Sequence, residues 1–198
     1  MSSAERKNEP KKLRSYTSDL LALESHFMKA VRRQKASEVV KDKTVIELFH
    51  ELDKMISAHV ESLETQVDRL GGSVTSEIKS KLASFTGSVA GLIDRARTDS
   101  VSKMLRDDYT ALSMITIGYT MLHTHALAVE DNVLADLTQN HLIDCTGMIT
   151  EISKAVPLTV AAELIEDADR AEEIGRKALE NTQNAWSPDV VNREPVIV

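Results

Sequence analysis

The sequence has few cysteine, proline, glycine and aromatic residues, which most fold classes other than all-α need. Among 198 residues there are one cysteine, four prolines and seven glycines, and aromatic residues make up only 4%. A β-sheet protein needs frequent turn residues and strands rich in aromatic side chains, so an all-β fold is excluded. The single thiol, Cys145, excludes an internal disulfide framework and favours a reducing cytoplasm.

Long apolar runs are also missing from the sequence. No run approaches the roughly 20 residues that a helix needs to cross a membrane. The first seven residues, Met-Ser-Ser-Ala-Glu-Arg-Lys, lack the apolar stretch of a secretory signal. We therefore expect a cytoplasmic protein without a membrane partner.

Charge is distributed unevenly along the chain. The net charge is -7, yet residues 1–35 contain nine Lys or Arg against four Asp or Glu, a local excess of +5. A basic segment can bind nucleic acid, but this one lacks interleaved aromatic residues, and the acidic remainder repels phosphate. We expect no nucleic-acid partner. Opposite charges are instead expected to hold together the two ends of one chain, or two chains.

The sequence does contain the repeat of apolar residues that is typical of amphipathic helices. Apolar residues recur every three or four positions in four long segments, at about 12–33, 38–70, 100–128 and 133–156. Pro157 is expected to end the fourth segment, and a helix rich in alanine and charge follows it at about 158–181. Four amphipathic helices bury their apolar faces most simply in a four-helix bundle.

We predict an all-α fold, a ferritin-like four-helix bundle with two additions. A short helical segment over residues 73–98 is expected between the second and third helices, and a fifth helix at the C-terminal end. The domain organisation follows from the same patterns. Residues 1–11 are predicted to be a disordered basic N-terminus, 12–183 a single bundle domain, and 184–198 an extended tail.

Carboxylates and histidines on the inner helix faces are the candidates for chemistry. Glu24 lies within an apolar stripe, where a carboxylate needs a metal, another cation or a proton, unless it reaches solvent at the stripe edge. Glu61 and Glu64 share part of a helix surface, and acids in that position are most often solvated. His141 and Asp144, three residues apart, form a possible metal pair, although His141 also fits a core histidine.

The third helix argues against a complete di-iron centre. Such a centre needs acids from all four helices of a bundle. The inner stripe of the third helix instead offers Leu112, Ile115 and Tyr119, which lack a carboxylate.

Several short motifs resemble one family. They are Asp19-Leu-Leu-Ala-Leu-Glu24, His59-Val-Glu-Ser-Leu-Glu64-Thr-Gln-Val-Asp-Arg-Leu70, Ala90-Gly-Leu-Ile-Asp94 and Gly118-Tyr-Thr-Met-Leu122. Over about residues 15–156, the chain resembles the YciF-like ferritin-like stress proteins. The resemblance implies a rubrerythrin-related bundle that forms dimers and carries a metal site.

The resemblance also assigns roles to individual residues. It implies that Glu24 is a ligand from the first helix and Glu61 an acid from the second. Glu64 stands where the family tends to have histidine, and Asp144 where it has glutamate. The third-helix acids of the family fall on Leu112 and Ile115.

We therefore expect a non-enzymatic, dimeric, stress-associated bundle with a degraded di-metal site and no catalytic residues. The first alternative is an iron- or manganese-binding protein with residual oxidase or storage activity. Its expected ligands are Glu24, Glu61, Glu64, His141 and Asp144. The second alternative is an interaction module, because the tail carries Trp186 and Val-Ile-Val and could anchor in a groove of a protein partner.

Overall fold

The computed structural model describes the backbone of residues 3–75, 81 and 100–187, with side chains from Lys11 onward. These residues form five helices and no strand, which confirms the all-α prediction for this part of the chain. The helices are α1 (Ser3–Lys35), α2 (Lys43–Arg69), α3 (Val101–Ala128), α4 (Asn132–Leu164) and α5 (Ala168–Ala185). Most of the extra helical segment predicted at 73–98 and most of the tail lie outside the described residues.

Capping residues determine where the helices begin and end. A side-chain oxygen of Asp42, Ser100, Asp131 or Asp167 accepts a backbone N–H in the first turn of α2, α3, α4 or α5. Gly71 ends α2 with a φ of +74°, a left-handed conformation that glycine adopts without strain. The Gly72 N–H donates to the Val67 carbonyl at 2.9 Å, so α2 ends close to residue 70, where the apolar repeat was predicted to end.

Each of the first four helices packs against two antiparallel neighbours. Helix α1 lies against α2 and α3, and α4 lies against the same two helices. Helices α1 and α2 are antiparallel, since Arg14 reaches Gly71 while Arg32 reaches Asp53. Helices α1 and α3 are antiparallel too, since Tyr16 contacts His125 while Gln34 contacts Asp108. Helices α2 and α3 are therefore parallel and diagonal to each other. The chain between them, residues 70–100, connects opposite ends of the bundle.

Four of the five described helices differ from their predicted limits by several residues. Helix α2 begins at Lys43 rather than at residue 38, and α5 spans Ala168–Ala185 rather than 158–181. Helix α1 begins at Ser3 rather than Lys12, within the segment predicted to be disordered, because Ala, Glu, Arg and Lys form helix well without an apolar stripe. Helix α4 continues through Pro157 to Leu164, so the predicted break at Pro157 is wrong. Packing of this end of α4 against α5 compensates for the lost backbone hydrogen bond: Ala161 and Ala171 are buried, and Gly175 allows close approach to Leu158.

The apolar faces of the four bundle helices meet in one continuous core. Leu112, Ile115 and Tyr119 are fully buried, which confirms the predicted apolar inner face of α3. None of the described helices combines the length and apolarity that crossing a bilayer requires.

A buried acid lies between α1 and α3. Gln34 Nε2 donates to Asp108 Oδ1 at 2.9 Å, and the remaining oxygens of both side chains are buried with no hydrogen-bond partner in the described part of the chain. Burial raises the pKa of Asp108 to about 8, and the charge of Asp107 adds to the shift. A neutral carboxyl suits this pair, because an acid and a primary amide can exchange two hydrogen bonds.

We predict that Asp108→Asn removes part of the pH dependence of stability. The folded pKa is about 8 and the unfolded value about 4, so the folded protein binds more protons between these two pH values. The protonated Asp108 therefore stabilises the folded protein at low pH. This stabilisation is lost as the pH rises from the unfolded pKa of about 4 toward the folded pKa of about 8, by at most about 1.4 kcal/mol per pH unit. Urea unfolding from about pH 5 to 9 should show this loss in the wild type but not in the variant.

Asp136→Asn is the matched control, because Asp136 is an exposed acid on α4. Its free energy of unfolding should follow the wild-type pH profile. Parallel profiles for the wild type and Asp108→Asn would show that Asp108 is ionised in the folded protein.

Candidate functional site

Three metal-ligating side chains from three helices meet at mid-height in the bundle. They are Glu24 on α1, His59 on α2 and Cys145 on α4, and one ligand atom of each lies within 4.8 Å of the other two. All three residues are buried. Their positions follow from the helical repeat, since each lies on the stripe that also carries the apolar core residues of its helix.

The distance between Glu24 and His59 fits two ligands of one metal ion better than it fits a strong hydrogen bond. Glu24 Oε1 lies 3.4 Å from His59 Nδ1, whereas a strong hydrogen bond between charged groups spans about 2.7–2.9 Å. Two ligands of one tetrahedral ion, each about 2.0–2.1 Å from it, lie about 3.3–3.4 Å apart. The other oxygen, Glu24 Oε2, is fully buried and has no hydrogen-bond partner among the described residues. The carboxylate therefore has free coordinating capacity where a cation would need it.

The far side of the His59 ring faces a second carboxylate. His59 Nε2 lies 3.2 Å from Asp144 Oδ2 on α4, and the Asp144 side chain is 53% exposed. The ring of His141 stacks on the His59 ring, with centroids 3.7 Å apart and planes inclined by 9°. His59 is thus held between two acids and against a second imidazole.

A chain of hydrogen bonds fixes the His141 ring. Ser62 Oγ donates its one proton to the His59 carbonyl at 2.8 Å, so it accepts from His141 Nε2 at 3.1 Å. The other nitrogen, Nδ1, then accepts from the Tyr119 hydroxyl at 2.7 Å. Both His141 nitrogens are occupied, and neither is available to a metal in this arrangement.

Burial determines the protonation of the cluster. It raises the pKa of Glu24, although His59 and, to a smaller extent, Tyr119 partly offset the effect. Burial disfavours the charged form of His59 too, but Glu24 and Asp144 together outweigh it and raise the His59 pKa. The pKa of His141 falls to about 3 because of burial and the nearby His59, so His141 is neutral at physiological pH. Glu24 and His59 therefore each hold a proton to higher pH than they would in solution.

The thiol is not arranged as a nucleophile. Cys145, His59 and Asp144 are the residue types of a cysteine–histidine–acid triad, but burial and the two nearby carboxylates raise the pKa of Cys145. A buried thiol with a raised pKa is unreactive. Coordination of a metal remains the chemistry open to this sulfur, because a metal binds the thiolate directly.

The structure separates the five predicted ligands into three groups. Glu24 belongs to the cluster of ligand atoms, while His141 and Asp144 lie beside it, in contact with His59. Glu61 is exposed and Glu64 is partly exposed, and both lie outside that cluster. The Glu-x-x-His sequence at Glu47 to His50, a spacing used by di-iron bundles, has both residues exposed on α2.

Sequence reasoning missed the role of three residues. His59 was not among the predicted ligands, yet its ring lies between Glu24 and Asp144. Cys145 was not among the predicted ligands, yet its sulfur lies beside Glu24 and His59. Tyr119 was expected to be part of the apolar wall of α3, yet its hydroxyl donates to His141. The only signal in the sequence was the spacing of Cys145, which follows His141 by one helical turn on the same stripe.

Comparison of the chain with protein-family models, with curated proteins and with solved structures finds no match. The case for a function therefore depends on the geometry of the site.

We predict that Tyr119→Phe destabilises the protein by about 1–3 kcal/mol, because it leaves His141 Nδ1 buried without its donor. The free energy of urea unfolding measures the change. Tyr109→Phe is the matched control, since Tyr109 lies on the same helix, is only half-buried and contacts Trp186 rather than the cluster. An equal effect of both substitutions would mean that the Tyr119 hydroxyl contributes nothing specific.

Proposed function

We propose that the protein is a ferritin-like bundle that binds a single divalent transition-metal ion through Glu24, His59 and Cys145. The observation that carries the proposal is the meeting of these three ligand atoms, from three helices, within 4.8 Å of one another in the core. The connectivity supports the ferritin-like assignment, because one long connection between parallel, diagonal helices is typical of ferritin-like folds.

The ligand set indicates which ion the site prefers. Iron and manganese sites of di-metal bundles are built mainly from carboxylates and histidine. Here a thiolate, an imidazole and one carboxylate are offered, which is a donor set suited to Zn²⁺ and to its spectroscopic substitute Co²⁺. A fourth ligand, such as water or the second Glu24 oxygen, would complete a tetrahedron. We therefore propose Zn²⁺ rather than the iron or manganese of the sequence-based alternative.

The surroundings of the site favour a structural ion over a catalytic one. Its ligands are buried, whereas the grooves found on the described surface lie elsewhere, at the end of the bundle and beside α5 and α1. A substrate would therefore have no direct path to the ion from these grooves. The non-enzymatic character and the stress role implied by the family resemblance both stay predictions.

We predict that the purified protein contains one Zn²⁺ per chain and that its metal-free form binds one Co²⁺ with an intense thiolate charge-transfer band. Glu24→Gln and Cys145→Ser should each weaken binding by roughly 100-fold or more, since even outer residues of metal sites contribute 10- to 100-fold. Elemental analysis and Co²⁺ titration are the measurements. Glu61→Gln is the control, because Glu61 is an exposed acid on α2.

Three results would overturn this function. Two irons per chain in protein from iron-supplemented cells, with iron oxidation above the rate of the Glu24→Gln variant, would indicate a di-metal oxidase. Absence of both Zn²⁺ and Co²⁺ binding would leave the cluster as a polar core without a metal. Unchanged affinity in Cys145→Ser would remove the thiolate from the ligand set.

We also propose that the protein forms a homodimer through the outer face of α3 and α4. Between Tyr109 and Ala128 there is no charged residue, although 28% of the whole chain is charged. Ile117 on α3 and Ile143 on α4 are 62% and 61% exposed. They lie at a similar level, because Tyr119 pairs with His141 between these antiparallel helices. The part of α3 without Asp, Glu, Lys or Arg and the exposed Ile143 beside it fit a second copy of the same face.

We predict that Ile117→Glu combined with Ile143→Glu converts a dimer into a monomer, because two charges would be buried in the interface. Analytical ultracentrifugation at several concentrations measures the change. Ile174→Glu on α5 is the control, as Ile174 is also exposed but lies off this face. A wild-type protein that is monomeric at all concentrations would refute the proposed dimer.

A further inference from the structure

Asp144 and His141 were both expected to bind metal directly, but their contacts indicate a different role. Asp144 Oδ2 lies 3.2 Å from His59 Nε2, on the side of the ring that faces away from Glu24. The imidazole of His59 is thus bridged by two carboxylates, one fully buried and one 53% exposed.

The proton of a neutral imidazole can lie on only one of its two nitrogens. A metal binds the bare nitrogen, so the proton must be on the other one. A carboxylate that accepts from Nε2–H fixes the proton there and leaves the lone pair of Nδ1 directed at Glu24 and Cys145. Metal-binding histidines almost always have such a partner for their second nitrogen.

We propose that Asp144 is a positioning residue of the metal site: it accepts the His59 Nε2–H and thereby presents Nδ1 to the ion, without itself coordinating. The inference rests on the proposed function. It replaces the assignment of Asp144 as a ligand. In the proposed role, this partly exposed acid on α4 orients a buried ligand of the metal site, His59.

His141 contributes to the same positioning through its ring. Its two nitrogens are hydrogen-bonded to Tyr119 and Ser62, so the ring cannot turn without breaking both bonds. Because His59 stacks on this fixed ring at 3.7 Å, rotation of the His59 plane is restricted. Stacking sets the plane of His59, while Asp144 sets which nitrogen carries the proton.

Co²⁺ titration of three variants tests the role of Asp144. We expect Asp144→Ala to weaken binding 10- to 100-fold while keeping the one-to-one stoichiometry and the charge-transfer band. Asp144→Asn should recover part of the loss, because its amide oxygen still accepts from Nε2–H. Asp136→Ala, at an exposed acid on the same helix, should bind like the wild type.

Nuclear magnetic resonance of the Zn²⁺-loaded protein adds a readout that a merely structural role would not change. In the wild type, a slowly exchanging ring proton coupled to His59 Nε2 should be visible, and in Asp144→Ala it should be lost to exchange with water. If the wild type binds Co²⁺ and Asp144→Ala binds it equally well, Asp144 has no positioning role although the metal site stands. If Asp144→Ala loses the one-to-one stoichiometry, Asp144 is itself a ligand. If the wild type binds no Co²⁺, both proposals fail.

Discussion

The polar architecture of this bundle depends on the burial of one carboxylate. Glu24 is completely enclosed in a core made mainly of apolar side chains. A buried carboxylate costs several kcal/mol unless a proton, a hydrogen-bond donor or a cation compensates it. The other three helices of the bundle each bring one polar group to its surroundings: His59 from α2, Tyr119 from α3 and Cys145 from α4.

This arrangement also constrains how the helices pack. Leucine and isoleucine faces tolerate many relative displacements of two helices, whereas hydrogen bonds at about 3 Å do not. The contacts from Ser62 to His141 and from His141 to Tyr119 connect α2, α4 and α3 in one alignment. Moving α4 along its axis by one residue would separate these groups and leave several buried polar atoms unpaired. The polar cluster therefore contributes specificity to a core whose stability comes from apolar burial.

Much of the fold could be predicted from the sequence, because the 3.6-residue repeat of apolar residues directly reflects what each helix buries. Pro157 was misread because its cost is local, whereas the packing of α4 against α5 that outweighs it is tertiary. In the site, Glu24 was predictable since an acid inside an apolar stripe is unusual. Cys145 and Tyr119 were not, because both residue types are common in apolar cores. The pairing of His59 with Asp144 depends on the alignment of two helices far apart in sequence, which no local pattern encodes.

Charge balance explains why the proposed centre suits one ion and not two. Glu24 and the thiolate of Cys145 together supply two negative charges, which neutralise one divalent ion. Two divalent ions would leave an excess of two positive charges beside Leu112 and Ile115, which are fully buried and offer no ligand. Asp144 would reduce that excess by only one, and it is turned toward His59. Asp108, the other buried acid, differs from Glu24 in its partner. Its only hydrogen-bond partner among the described residues is the neutral amide of Gln34, and it is therefore most stable with its proton. Of the two buried acids in the described part of the chain, only Glu24 has an imidazole and a thiol close enough to hold a cation in common with it.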